Sequence, residues 1–204
     1  MSDSIKNIVY KQFLQDKAII INSKINDETV DKVTMQIIKY NIEDDQLEEE
    51  QMCPHCNKST FNREEDSIKM YIHSPGGDAY ATLAVIGAMA TSKTPIDTIV
   101  LGGAMSGGFL IALCGNKRYA QPYARFMWHK VGVRHIEGAL DTINDEKDEI
   151  TDLQGIFEGI ILEKSGISKE LLDQETLRKD WNFDVKKALE LKVIDGVLSC
   201  GVKS

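Results

Sequence analysis

Twice between residues 68 and 113 a run of apolar and β-branched residues ends at glycines and gives way at once to a helical pattern. I-K-M-Y-I-H-S-P-G-G leads into D-A-Y-A-T-L-A-V, and I-D-T-I-V-L-G-G-A-M-S-G-G leads into F-L-I-A-L. A strand that turns directly into a helix, and does so repeatedly, points to an α/β architecture with helices packed on a sheet. The spacing predicts strands over Ile68–His73 and Ile96–Leu101, with helices from Asp78 to about Ser92 and from Ser106 onward.

The rest of the chain extends the series. Ala18–Asn22 reads as a strand, and the following helix carries Val30, Val33, Met35, Ile37 and Ile38 as its apolar stripe. Ala124–His129 reads as a strand, Gly138 to about Lys164 as a long helix, and Ser168–Gln174 as a short one. A loop through Asp180, a helix opening at Asp184 and a strand near Val193 complete the series. Residues 43–66 follow neither period and read as a polar inserted loop in a single domain spanning 1–204.

Composition narrows the function. The 204 residues are 42% hydrophobic and 27% charged, enough for a core without disulfide or metal staples. A net charge of -8 disfavours nucleic acid, whose phosphates call for clustered Lys and Arg. No apolar run approaches the roughly 18 residues of a membrane span. The first ten residues lack an apolar export segment, so the expectation is a cytoplasmic protein with no membrane partner.

One hydroxyl sits among the second set of glycines. Ser106 falls where a strand becomes a helix, beside backbone N–H groups that lack intrahelical acceptors, a geometry that suits a nucleophile and stabilises an oxyanion. A-M-S-G-G departs from the G-x-S-x-G elbow in its first residue, and helix capping explains a serine here equally well. A serine needs a base, and His129 and His135 are the histidines that follow it; His129 ends a predicted strand and His135 lies in a loop. Residues 107–128 hold no Asp or Glu, so a Ser, acid, His order is unavailable with His129. A later acid is required, and Asp180 in R-K-D-W-N-F stands outside the helical patterns, flanked by aromatics that could bury it. A simple loop or cap aspartate is the alternative.

Taken together, Y-I-H-S-P-G-G, A-M-S-G-G-F-L, F-M-W-H, R-K-D-W-N-F and K-K-A-L-E-L-K-V-I-D resemble, in order and spacing, the Clp peptidase proteolytic subunit family, ClpP. The resemblance runs from about Val9 to Val197, apart from the insertion. It implies the ClpP/crotonase-type α/β fold of repeated β-β-α units with a protruding handle helix, here the helix from Gly138. It implies a serine endopeptidase acting on peptides or unfolded polypeptide through an acyl-enzyme, with Ser106 as nucleophile, His129 as base and Asp180 orienting the imidazole. Backbone N–H groups of Gly76 and Gly107 would hold the oxyanion, and an extended substrate would add a strand beside Gly76 and Gly77. It further implies stacked homo-oligomeric rings served by a Clp-type AAA+ ATPase unfoldase, and no cofactor or catalytic metal.

Four features depart from that family pattern. His73 stands in place of an asparagine and Gly107 in place of a methionine, K-V-G-V replaces a segment with proline, and Arg178 and Lys179 precede the aspartate. About nine residues precede Tyr10, fewer than the family's axial segment, which raises the alternative of a ClpP-like protease working without an ATPase on scaffold or assembly proteins. A catalytically silent ring subunit and a crotonase-type acyl-CoA enzyme are rivals of another class. Finally, M-C-P-H-C-N-K places Cys53 and Cys56 at C-x-x-C spacing, which suits half a metal site, a redox pair or an unliganded loop. A zinc site would need two more ligands, and pairs from neighbouring subunits could share an ion.

Overall fold

The structure, a computed structural model, describes residues 17–56, 58–132 and 140–198. His135, Cys200, the residues before 17 and the expected start of the long helix at Gly138 lie outside them. The elements are β1 (Ala18–Ile21), α1 (Asp27–Glu50), β2 (Ile68–Ser74), α2 (Ala79–Ala90), β3 (Ile96–Met105) and α3 (Gly107–Leu113). There follow β4 (Arg118–Ala120), β5 (Arg125–Trp128), α4 (Leu140–Lys164), α5 (Lys169–Glu175), β6 (Trp181–Asp184), α6 (Val185–Glu190) and β7 (Gly196–Val197). Strands β1-β2-β3-β4-β7 form a parallel sheet in that order.

β3 organises the site. Its first half pairs with β4 through Thr98–Val100, and its second half pairs with β5 through Gly103–Met105. β5 in turn pairs antiparallel with β6, Trp128 opposite Trp181. The sequence reading ended this strand at Leu101 in a glycine-rich bend, whereas it continues through Gly102 and Gly103 to Met105. The glycines are what let it continue, because a Cβ on Gly102 would stand 3.0 Å from Nδ1 of His73 on the neighbouring strand. The register between β2 and β3 shifts at this point, between Ile72 and Ser74.

α1 differs from its expected pattern in two ways. Its buried face is Val33, Ile37 and Tyr40, while Met35 (66% exposed) and Ile38 (48%), expected in the stripe, lie on the outer side with Ile42. It also runs to Glu50, so residues 43–50 are helical and the non-helical insertion is confined to 51–66. E-D-D-Q-L-E-E-E has no apolar period because cations hold it. Asp44, fully buried, pairs with Lys17 and accepts from Thr94 Oγ1 at 2.5 Å, while Arg63 bonds Asp45 at 2.6 Å and Glu48 at 2.8 Å. Lys17 also pairs with Asp66 and lies over the Phe61 ring, which ties the returning end of the insertion to the start of β1.

The core gathers under the C-terminal end of β3. All seven residues of α3 are buried, as expected of a helix apolar on every side. Phe109 packs edge-on to Phe183 at 5.9 Å, Phe183 stacks on Phe126 at 5.6 Å, and Trp128 meets Phe157 of α4 edge-on at 6.1 Å. These contacts, with Leu153 and Ile161 buried on the same face, lay the second half of α4 against the sheet. Two short strands, β4 and β6, are not among the elements expected from the sequence. β4 is only three residues long, and β6 alternates buried Trp181 and Phe183 with exposed Asn182 and Asp184. The final strand lies at Gly196–Val197, three residues past Val193, which packs in the core instead.

Candidate active site

Ser106 occupies the single residue between β3 and α3, with φ 51° and ψ -120°. Those angles match the first central position of a type II′ turn, where glycine is the ordinary occupant. The serine is held there from both sides. Its N–H donates to Met127 O at 2.8 Å, and Phe109 N–H donates to its carbonyl at 3.0 Å. Although it stands at the N-cap position of α3, its side chain makes no capping bond, so the capping explanation for a serine here fails.

Glycines are required around it. Gly76 has φ 87°, and a Cβ there would stand 2.7 Å from both Ser106 Cβ and Met105 O, and 3.0 Å from Gly107 N. A Cβ on Gly107 would meet Thr82 Oγ1 at 2.2 Å, so α2 and α3 pack backbone against side chain at this point. Gly77 has a similar constraint from Ile25, whose carbonyl oxygen would be 2.0 Å from its Cβ. The glycine turn is fixed to the segment after β1 by Ile25 N–H to Gly76 O and Asp78 N–H to Ile25 O, both 3.0 Å. Asp78 then caps α2 through Ala81 N–H at 2.9 Å.

Ser106, Gly107, Gly76, Gly77 and His129 line one cavity of about 820 Å³. Leu110, Trp128, Ile150, Leu153 and Phe157 give it an apolar wall, of which the sequence pattern marks Ile150, Leu153 and Phe157 as part of the long helix's apolar stripe. Tyr80 and Lys24 at its edge were not anticipated; the Tyr80 hydroxyl donates to Glu149 at 2.7 Å and so joins α2 to α4 beside the cavity. This interaction raises the Tyr80 hydroxyl's pKa, since the neighbouring carboxylate disfavours a phenolate.

The imidazole of His129 is oriented by a carbonyl. Its Nδ1 lies 2.6 Å from Lys130 O, and a carbonyl oxygen only accepts, so Nδ1 carries the proton and Nε2 keeps its lone pair. That tautomer is the one a general base uses when Nε2 takes a proton. Asp180 is exposed, contrary to the expectation that its aromatic neighbours bury it. Trp181 and Phe183 face the core, and strand alternation turns 180, 182 and 184 the other way. Among the described residues no hydrogen bond or ion pair reaches Asp180. The β5–β6 register, Trp128 opposite Trp181, nevertheless brings positions 129 and 180 to the same end of the ladder.

Of the expected oxyanion donors, Gly107 opens α3, and its N–H, the first of the helix, has no intrahelical acceptor. The N–H of Gly76 already donates to Ser74 Oγ at 3.1 Å, and that hydroxyl donates to Ser23 O at 2.6 Å. His73 does not line the cavity; its ring lies against Gly102 and Gly103.

Ser106, at the end of the middle strand of a parallel sheet, and His129, just past the strand β5 that pairs with it, line one glycine-edged cleft in an α/β fold. The profile of the Clp protease family matches residues 56–200, and the chain belongs to that family of peptidases. A similar protein is the ATP-dependent Clp protease proteolytic subunit 1 of Bacillus cereus (strain ATCC 10987 / NRS 248), 29% identical over 192 residues, covering 93% of this chain and 89% of the relative. Among the described residues no helix is long and apolar enough to cross a membrane.

Proposed function

We propose that this chain is a single-domain serine endopeptidase in which Ser106 attacks a peptide carbonyl and His129 accepts its proton at Nε2. The tetrahedral oxygen is received at the start of α3, with the Gly107 N–H as one donor. Collapse of the intermediate breaks the C–N bond, the imidazolium gives its proton to the leaving amine, and water then hydrolyses the Ser106 ester by the same base. The observation that carries this reading is the conformation of Ser106: φ 51° with an uncapped hydroxyl, on a cavity that His129 shares. Extended polypeptide is the substrate class: the Gly76 N–H and carbonyl are engaged by Ser74 and Ile25, and a substrate strand would pair beside them at Gly77, which lies along the same side of the cavity.

Asp180 completes the set when it replaces Lys130 O at Nδ1, and release of Gly76 N–H from Ser74 supplies the second oxyanion donor. Assembly in stacked rings and delivery of unfolded substrate by a Clp-type ATPase belong to the same proposal; the relative's name calls that protease ATP-dependent. The positions of Asp180 and of the Gly76 N–H favour one second reading, a subunit that assembles but is catalytically silent. Intact mass after fluorophosphonate treatment separates them. One adduct, lost in Ser106→Ala, is the expected result; an unlabelled, folded and assembled wild type would leave the silent subunit.

A further inference from the structure

The insertion left over by the peptidase reading has a defined shape. Residues 51–56 and 58–60 form the two limbs of a small hairpin: Met52 bridges Ser59 antiparallel, Cys53 N–H donates to Lys58 O at 3.0 Å, and Thr60 Oγ1 donates to Gln51 Oε1 at 3.0 Å. C-P-H-C occupies its tip, with Pro54, His55 and Cys56 exposed. Within that turn His55, Cys56 and the Cys56 thiol lie beside the Cys53 sulfur. C-x-x-C at the tip of a hairpin turn brings two sulfurs within reach of one cation. Two thiolates on one tetrahedral zinc stand about 3.8 Å apart for metal–sulfur bonds of about 2.3 Å, a separation that adjacent sulfurs in one turn satisfy.

The hairpin is also rigidly mounted. Arg63 clamps its returning limb to Asp45 and Glu48 of α1 and to Thr94 Oγ1, and Lys17 fixes Asp66. Such a mount fits a site that must present two sulfurs in fixed geometry, and exceeds what a solvated loop requires.

Two ligands are missing. No group of three or more His, Cys, Asp or Glu that could hold a metal exists among the described residues. Cys114 ends α3, where burial pushes its thiol up to about 11 and it lies near Lys164 and Arg118, away from the hairpin. β7, the strand that Cys200 follows, lies at the opposite edge of the sheet from β1, to which the insertion is tied.

We propose that the Cys53–Cys56 tip is half of a tetrathiolate zinc site, completed by the same tip of a second copy of this chain. A two-fold contact brings identical patches together, so two exposed tips supply four sulfurs and close the coordination sphere. Glu49, Glu50, Glu64 and Glu65 flank the hairpin, so two tips repel each other until a divalent ion joins them. The contact is therefore metal-dependent, and it stands apart from the peptidase chemistry.

The test is elemental analysis of the full chain, purified under reductant and dialysed without chelator, beside Cys→Ser variants at 53, 56, 114 and 200. One zinc per two chains, lost on Cys53→Ser or Cys56→Ser and kept on Cys114→Ser and Cys200→Ser, is expected. Cobalt replacement should give a thiolate-to-metal absorption of four-sulfur intensity. Folded wild type without zinc, one zinc per chain, loss on Cys200→Ser, or a Cys53–Cys56 disulfide in place of metal would each overturn the proposal. Fluorophosphonate labelling of the Cys53→Ser variant at the wild-type rate keeps this test separate from that of the active site.

Discussion

Replacing Ser106 with glycine should make the protein more stable while abolishing its chemistry. At φ 51° and ψ -120° a side chain is crowded by its own backbone, and such conformations cost of order 1–3 kcal/mol. Glycine adopts them without that penalty but loses about 0.5–1 kcal/mol through the greater freedom of its unfolded chain. Taking about 2 kcal/mol for the strain, the net gain is about 1 kcal/mol. For a chain of 204 residues this raises the unfolding midpoint by about 2–4 °C. Ser106→Ala is the control: it keeps Cβ and the strain and removes a hydroxyl that makes no capping bond, so its stability stays within about 0.5 kcal/mol of wild type. Thermal unfolding of the three proteins at one matched concentration reads the difference, since association shifts midpoints by mass action. Both variants should fail to react with fluorophosphonate. A glycine variant no more stable than the alanine variant would refute the claim that strain is stored at the serine.

Three other outcomes follow from the polar contacts. Lys17→Ala leaves the fully buried Asp44 carboxylate without its cation, and should destabilise by about 3–5 kcal/mol in urea unfolding; an unchanged midpoint would mean that α1 does not depend on this pair. Burial raises the Asp97 carboxyl, but bonds from Lys69, Ser67 and the Lys117 N–H outweigh it and hold the group below its usual 3.8. Because the folded value is the lower one, that contribution is complete above pH 4 and is lost as pH falls through the folded value, so Asp97→Asn should flatten the acid limb of stability against pH. With burial holding Cys114 near 11, iodoacetamide at pH 8 in chelator should alkylate Cys53 and Cys56 well before Cys114, read by peptide mass.

How much of this was legible in the sequence depended on what held each part together. Elements fixed by apolar burial were readable: β2, α2, α3 and α4 appear within a few residues of their expected bounds, because their side chains repeat with the period of the structure. The end of α1 was not, since its stabilising partners, Lys17, Arg63 and Lys93, are brought in from elsewhere in the chain. The outer apolar residues Met35 and Ile38 were misassigned for a related reason, as hydrophobicity alone does not tell which of two apolar faces meets the sheet. At the cleft, Ser106, His129 and the glycines could be found from motif order, whereas Tyr80, Lys24 and the apolar wall come together through tertiary packing alone. The exposure of Asp180 and the Lys130 carbonyl at His129 depend on side-chain orientation, which no residue pattern encodes.

The double pairing of β3 has a kinetic meaning. Because one strand is hydrogen-bonded along β2 and shared between β4 and β5, it cannot slip by a residue without breaking three ladders and turning every side chain to the wrong face. Ser106, attached to the end of that strand, therefore belongs to the last part of the molecule to exchange its amide protons, while the outer turns of α4 open on far smaller fluctuations. Access to the cleft can vary freely with the motions of its rim, and Ser106 stays in place until the whole sheet comes apart.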